Sequence, residues 1–165
     1  NIMANGGFET NSGWSGIANT AGRIYTEAIY ATVRAHTGSR SGRVGSPTVN
    51  SYWNEVLQTV LMPPNASSAT LTLWRYLETN ETSRTRAYDI FTIGLETDKG
   101  IELVAPKRVD NTSAGRNVWV KETIVLPNPQ ALANQGVWIT VKGRTDGNKP
   151  TRLYLDDAAL TVCTP

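Results

Sequence analysis

A chain of 165 residues, 39% hydrophobic and 18% charged, is long enough to bury one full core, about 70% of its unfolded surface at this size, and too apolar to be disordered. Its formal net charge of +2, with basic residues scattered rather than clustered on one face, argues against nucleic acid as a partner. No stretch approaches the roughly 18–20 apolar residues of a membrane span. One cysteine, Cys163, excludes an internal disulfide, which a core of this size can do without. The chain starts at Asn1, as expected of a processed protein or a piece cut from a longer one.

In chain order, residues 2–9 form a short apolar patch followed by Gly6-Gly7 and Phe8-Glu9, and a turn-rich 11–16 carries Trp14. Residues 23–36 alternate loosely, with Ile24, Tyr25, Ile29, Tyr30 and Val33 among polar residues; the β-branched and aromatic content predicts a strand. A glycine–serine loop with a short strand inside it follows at 36–47. Residues 52–62 read as a strand ended by Pro63-Pro64, because proline cannot continue a ladder. Over 69–79, Leu71, Leu73 and Leu77 share a face with Arg75, while Thr72, Trp74 and Tyr76 take the other. Residues 88–96 place Phe91, Ile93 and Leu95 on one face, and the Asp98-Lys99-Gly100 turn returns 101–104 as a hairpin partner.

Strands at 118–126 and 137–142 flank Asn128-Pro129, an N-cap with proline at the first helical position, so 129–135 is expected to form one helical turn stopped by Gly136. The 145–150 loop leads to the last strand, 151–162, Thr-Arg-Leu-Tyr-Leu-Asp-Asp-Ala-Ala-Leu-Thr-Val. About eight to ten strands with almost no helix predict an all-β fold, an antiparallel jelly-roll β-sandwich, in one domain over 1–165.

The last strand poses a chemical question. Asp is disfavoured in strands, and carboxylates are seldom buried without a partner. Alternation points Asp156 and Asp157 to opposite faces, so one needs a special explanation. It is either a hard cation, shared with the distant segment 5–10, or an arginine. Asp156 shares parity with Ala158 and Leu160, whereas Leu153 and Leu155 have the opposite parity. A bulge or twist must therefore intervene, and either aspartate can be the inward one. Catalytic signatures are missing. His36 is the only histidine, no Gly-x-Ser-x-Gly elbow exists, and a zinc site with two histidines is excluded. No carboxylate pair is singled out for glycoside hydrolysis, and the 38–45 loop lacks the phosphate-cradling pattern. The chain is expected not to be an enzyme.

An ordered series spans nearly the whole chain: Asn5-Gly-Gly-Phe-Glu9, Trp14, His36-Thr-Gly-Ser-Arg-Ser41, Leu57-Gln-Thr-Val60 with Pro63, Leu71-Thr-Leu-Trp74, Trp119, and Tyr154-Leu-Asp-Asp-Ala-Ala-Leu160. It resembles the galactose-binding-like jelly rolls, closest in style to carbohydrate-binding modules of families 4, 9 and 22 and to related appendage domains of secreted bacterial hydrolases and proteases. The resemblance implies a structural calcium ion. Glu9 would give one carboxylate, Ser39 or Arg40 a backbone carbonyl, and Asp156 or Asp157 the second carboxylate. Calcium does take 6–8 oxygens of these kinds; the alternative is that Glu9 pairs with an arginine and no metal binds. Trp14 and Trp119 match positions that pack into the core.

Five Trp and six Tyr against two Phe is the bias of a carbohydrate binder, since flat rings stack on sugar C–H faces. With the leucines of 69–79 facing the core, Trp74 and Tyr76 stand outward as a platform. Tyr52 and Trp53, at the start of their strand, are expected on the same surface. Arg75, on the leucine side, places that strand near a sheet edge. The expected function is a non-catalytic carbohydrate-binding module with a structural calcium, binding a polysaccharide through Trp74, Tyr76, Trp53 and Tyr52. It would be secreted or at the cell surface and covalently linked to a catalytic domain in its parent protein. The alternative is a protein-interaction, adhesion or stability domain beside a secreted protease, with no sugar site.

Overall fold

Strict alternation of apolar and polar residues gives each long strand one face for the core and one for solvent. The computed structural model describes residues 1–20, 23–26, 30–45, 53–146 and 148–165. Among them the strands are β1 (Ser15–Thr20), β2 (Arg23–Thr26), β3 (Tyr30–Ala31), β4 (Ser41–Val44), β5 (Trp53–Leu61), β6 (Ser68–Thr79), β7 (Ile90–Thr97), β8 (Lys107–Asp110), β9 (Trp119–Leu126), β10 (Gly136–Arg144) and β11 (Thr151–Cys163). A six-stranded sheet runs β2-β1-β5-β10-β7-β8 and packs on a five-stranded sheet, β3-β4-β11-β6-β9. Every ladder is antiparallel. This is the expected jelly-roll β-sandwich. No helix among the described residues is long and apolar enough to cross a membrane.

The core lies between the sheets. Val56 and Val60 of β5, Phe91, Ile93 and Leu95 of β7, and Val137, Ile139 and Val141 of β10 meet Leu71, Leu73 and Leu77 of β6 and Leu153, Leu155 and Leu160 of β11. The N-terminal segment seals one side without forming a strand. Ile2 N–H donates to Leu160 O (3.0 Å) and Ala158 N–H to Gly6 O (3.0 Å). Phe8 is fully buried and stacks on Trp14 at 4.8 Å between centroids. Gly42 of β4 is needed here, because a Cβ on it would stand 2.4 Å from the Phe8 ring.

Several expectations change. The strand expected over 23–36 is two strands, β2 in the six-stranded sheet and β3 in the five-stranded one; β-propensity reports a half-buried pleated surface, not which sheet owns it. The turn-rich 11–16 leads into β1 at Ser15. The hairpin partner expected at 101–104 does pair back on β7, through Thr97 N–H to Ile101 O and Leu103 N–H to Leu95 O (both 2.9 Å) on either side of the Glu96–Glu102 bridge, but it is too short to count as a strand, and β8 pairs the rest of that edge. The helical turn is a 3-10 turn over Pro129–Leu132, with Asn128 left-handed (φ 48°) and making no side-chain cap bond.

Arg75 does not mark an edge. β6 lies between β11 and β9, and Arg75 points into the sandwich, 5% exposed. Its Nε donates to Glu122 Oε1 (2.9 Å), and its Nη atoms donate to the carbonyls of Gly115 and Ala114. A charge can lie inside only when paired and hydrogen-bonded in this way.

Candidate functional site

The two aspartates of β11 sit on a bulge. Asp156 is opposite Trp74 and the next pair is Ala159–Thr72, so two residues of β11 face one of β6. The extra residue resets the alternation, which is how Leu153 and Leu155 before it and Ala158 and Leu160 after it are all buried. Asp157 takes the left-handed backbone (φ 47°) that Asp tolerates better than most residues. Asp156 is fully buried. Its Oδ2 accepts the backbone N–H of His36 (2.7 Å) and Thr37 (3.1 Å), and its Oδ1 accepts that of Asp157 (2.8 Å). Burial pushes its carboxyl above the ordinary value and outweighs these three bonds, which act the other way. The half-exposed Asp157 holds His36 Nδ1 at 2.7 Å and accepts the Thr37 hydroxyl at 2.6 Å.

Glu9 grips the same loop three residues on. Its Oε1 accepts the backbone N–H of Ser39 and of Arg40, both at 3.0 Å, and its Oε2 accepts the Ser39 hydroxyl at 2.9 Å. The N–H donors of Ser39 and Arg40 hold its carboxyl below the usual range. Acids from the two ends of the chain therefore clasp the 36–40 loop directly.

This donor set does not fit the calcium ion expected between Glu9 and Asp156 or Asp157. Calcium needs 6–8 oxygens, but Ser39 and Arg40 turn N–H toward Glu9, not C=O. Both Asp156 oxygens likewise face N–H donors, whose positive ends repel a cation. Among the described residues no three His, Cys, Asp or Glu side chains stand where they could hold a metal ion together.

The clasped loop lies over the outer face of the five-stranded sheet. Trp74, Tyr76 and Glu78 project from β6 on that face, as alternation predicts. Tyr76 meets Trp119 of β9 edge-on at 5.6 Å and Tyr154 of β11 at 6.3 Å. Trp119, expected in the core, thus belongs to this outer row, whereas Trp14 is buried as expected. The rings are not bare. His36 stacks on Trp74 at 4.1 Å and 18°, and the Arg34 guanidinium lies 5.1 Å from the Tyr76 centroid. Arg34 Nη2 also donates to Glu78 Oε1 (3.0 Å).

Trp53 is on the other side of the molecule. It shares parity with Glu55 on β5, opposite the inward Val56, so it faces out from the six-stranded sheet, away from Trp74 and Tyr76. Alternation tells in from out but not one sheet from the other. Tyr52 lies outside the described residues. On this second face Trp53 is directly opposite Arg144, Glu55 opposite Lys142, Leu57 opposite Thr140, and Thr59 opposite Trp138. Lys142 Nζ bridges Glu96 Oε1 (2.5 Å) and Glu55 Oε1 (3.8 Å), and the Thr140 hydroxyl donates to Glu96 Oε1 (3.1 Å). Burial pushes the Glu55 carboxyl up, against the pull of Lys142. Among the described residues no ring or guanidinium covers Trp53 or Trp138. Six residues of strand separate them, about 20 Å at roughly 3.4 Å per residue.

Sequence reasoning missed Trp138, Lys142, Glu96 and Arg34 as site residues. Their partners are far away along the chain, and each alone reads as an ordinary strand or loop residue. The Asp156-Asp157 pair was the one available signal, since it demanded a partner. That partner is the His36 loop.

No protein-family model matches the chain, and no curated protein matches it. Among solved structures it is similar to TmCBM61 in complex with beta-1,4-galactotriose, with TM-score 0.64 and 17% identity over 99% of this chain and 99% of that one. It is also similar to the C-terminal family 22 carbohydrate-binding module of Clostridium thermocellum Xyn10B, with TM-score 0.56 and 19% identity over 94% of this chain and 89% of that one. A third likeness is to the enzymatically active domain of bacteriophage CBA120 tailspike protein 4, with TM-score 0.61 and 14% identity, covering 99% of this chain and 21% of that one. At such identities the likeness is one of fold. The chain has the jelly-roll β-sandwich fold of the carbohydrate-binding modules, in agreement with the resemblance read from its ordered series of motifs.

Proposed function

We propose that the chain is a non-catalytic carbohydrate-binding module and that a neutral polysaccharide lies along the outer face of the six-stranded sheet. The observation that carries this reading is the pair of half-buried tryptophans, Trp53 and Trp138, which no ring or guanidinium among the described residues covers, with the partly exposed Glu55 and Lys142 between them. Indole faces stack on sugar C–H groups, and Lys142 and Glu55 supply a donor and an acceptor for hydroxyls. The buried Glu96 accepts from Lys142 and Thr140 and so holds the Lys142 ammonium in place. A secreted or cell-surface setting and a covalently linked catalytic domain in the parent protein belong to the same reading.

The test is affinity electrophoresis or calorimetry against galactan, xylan and mixed-linkage glucan, with Trp53→Ala and Trp138→Ala. Removing a stacked indole, worth about 100 Å² of apolar contact at roughly 25 cal/mol per Å², weakens binding ten-fold or more. Unchanged binding in both variants, or loss only in Trp74→Ala, would overturn the assignment. Binding to no glycan at all would favour a protein-interaction or stability domain.

A further inference from the structure

We propose that the outer face of the five-stranded sheet carries a second site, separate from the Trp53 surface, which takes an anionic sugar residue through Arg34 and Arg152. A cavity of about 370 Å³ opens beside the aromatic row, lined by Val33, Arg34, Glu78, Arg152 and Tyr154. This is at the small end of ligand pockets, the size for one sugar ring. Two guanidiniums share one carboxylate in it: Arg34 Nη2 is 3.0 Å from Glu78 Oε1, and Arg152 Nη1 is 3.0 Å from Glu78 Oε2. The cluster carries a net positive charge.

Both Glu78 oxygens are engaged, Oε2 also accepting the Tyr154 hydroxyl at 3.2 Å. The Tyr154 oxygen in turn accepts from Arg152 Nη1 at 3.3 Å. Three of the roughly four lone-pair sites of the Glu78 carboxylate are therefore occupied. A guanidinium has five N–H donors, yet among the described residues Arg34 donates one to Glu78, and Arg152 donates to Glu78 and Tyr154. The unused capacity is mostly donor, in a planar fork that fits a carboxylate or sulfate bidentately. A neutral diol finds at most one open lone pair, on Glu78, against several open N–H donors. The exposed Val33 offers an apolar wall for the C–H face of the ring.

The site is also preorganised. Arg34 sits in the left-handed region (φ 60°) and lies over Tyr76. The loop is pinned two and three residues further on by Asp156, and Arg152 comes from β11, a central strand. Little ordering is left to be done when a ligand arrives, and that favours affinity.

The experiment is NMR titration of the intact chain with glucuronate, galacturonate, glucose 6-sulfate, glucose, galactose and inorganic sulfate, repeated for Arg34→Gln, Arg152→Gln and Glu78→Gln. Expected are binding of the acidic sugars with shifts at Arg34 and Arg152, at least ten-fold loss in either arginine variant, and tightening in Glu78→Gln, which removes the competing carboxylate. Raised salt weakens the acidic sugars. The uronate and sulfate-ester arms decide which anion is preferred. Neutral sugars binding as well as acidic ones, inorganic sulfate binding as tightly as either acidic sugar, or weaker binding in Glu78→Gln would overturn the proposal. Trp53→Ala serves as the separating control: it leaves uronate binding intact, whereas Arg34→Gln leaves neutral-glycan binding and the melting temperature intact, so each site can fail alone.

Discussion

Asp156 lets the structural reasoning be put to a number. Replacing it with alanine removes a fully buried carboxylate and strands three backbone N–H groups, those of His36, Thr37 and Asp157. Hydrogen bonds to a charged group contribute about 1.5–3 kcal/mol each. The His36 and Thr37 donors sit in a half-exposed loop where water can replace part of the loss, so the expected destabilisation is about 4 kcal/mol rather than the full sum. At about 2–4 °C per kcal/mol for a chain of this size, the melting temperature falls by about 8–16 °C. In Asp156→Asn one oxygen can still face the two loop donors, while the amide N–H₂ is forced against the Asp157 N–H. About half the effect, ~2 kcal/mol, is expected there. Urea unfolding with an unchanged m-value is the measurement.

The same carboxyl gives a pH signature. Its folded-state pKa lies above the ordinary 3.8, through burial, so the native state binds the proton more readily than the unfolded chain does. Stability from this group is fully present below the unfolded value and is lost as pH rises through the folded one. Relative to Asp156→Asn, the natural chain therefore gains stability as pH falls from the raised value toward 3.8. A loss below about 1 kcal/mol in Asp156→Ala, or a pH trend of the opposite sign, would refute the account of the clasp.

Because Glu9 and Asp156 are satisfied by N–H donors, EDTA leaves the melting temperature unchanged; a drop, as expected for loss of a ligand that binds only the native state, would reinstate the calcium ion. Glu122→Gln breaks the buried pair with Arg75 and the 3.2 Å contact to Lys107, and chemical denaturation should show a loss of about 3–5 kcal/mol, whereas a cost under 1 kcal/mol would mean that the Gly115 and Ala114 carbonyls suffice for Arg75.

The comparison with solved structures bears on function only through the fold. TmCBM61 was seen in complex with beta-1,4-galactotriose, and it aligns with this chain from end to end. The tailspike match covers a fifth of a larger enzyme domain. The same sandwich therefore also occurs as part of a longer chain, and what each copy binds depends on the side chains it carries on its faces.

Much of this architecture was legible in the amino-acid order itself. The alternation over 68–79 separates Leu71, Leu73 and Leu77 from Trp74 and Tyr76 because successive strand residues must point to opposite faces. The clash of parity between Leu155 and Leu160 required a bulge, and the bulge is at Asp156–Ala159. The presence of two adjacent aspartates in an apolar strand announced a partner, since a buried carboxylate must be satisfied. Tertiary structure alone decided who that partner is. His36 and Asp157 are separated by 121 residues, and no local rule links them. It also decided that Trp53 and Trp74 lie on opposite sheets, because β5 and β6, although consecutive, cross from one layer to the other. Periodicity constrains the direction of a side chain relative to its own strand. Which rings share a surface, and whether a histidine or an arginine covers them, follows from the order in which distant strands pair.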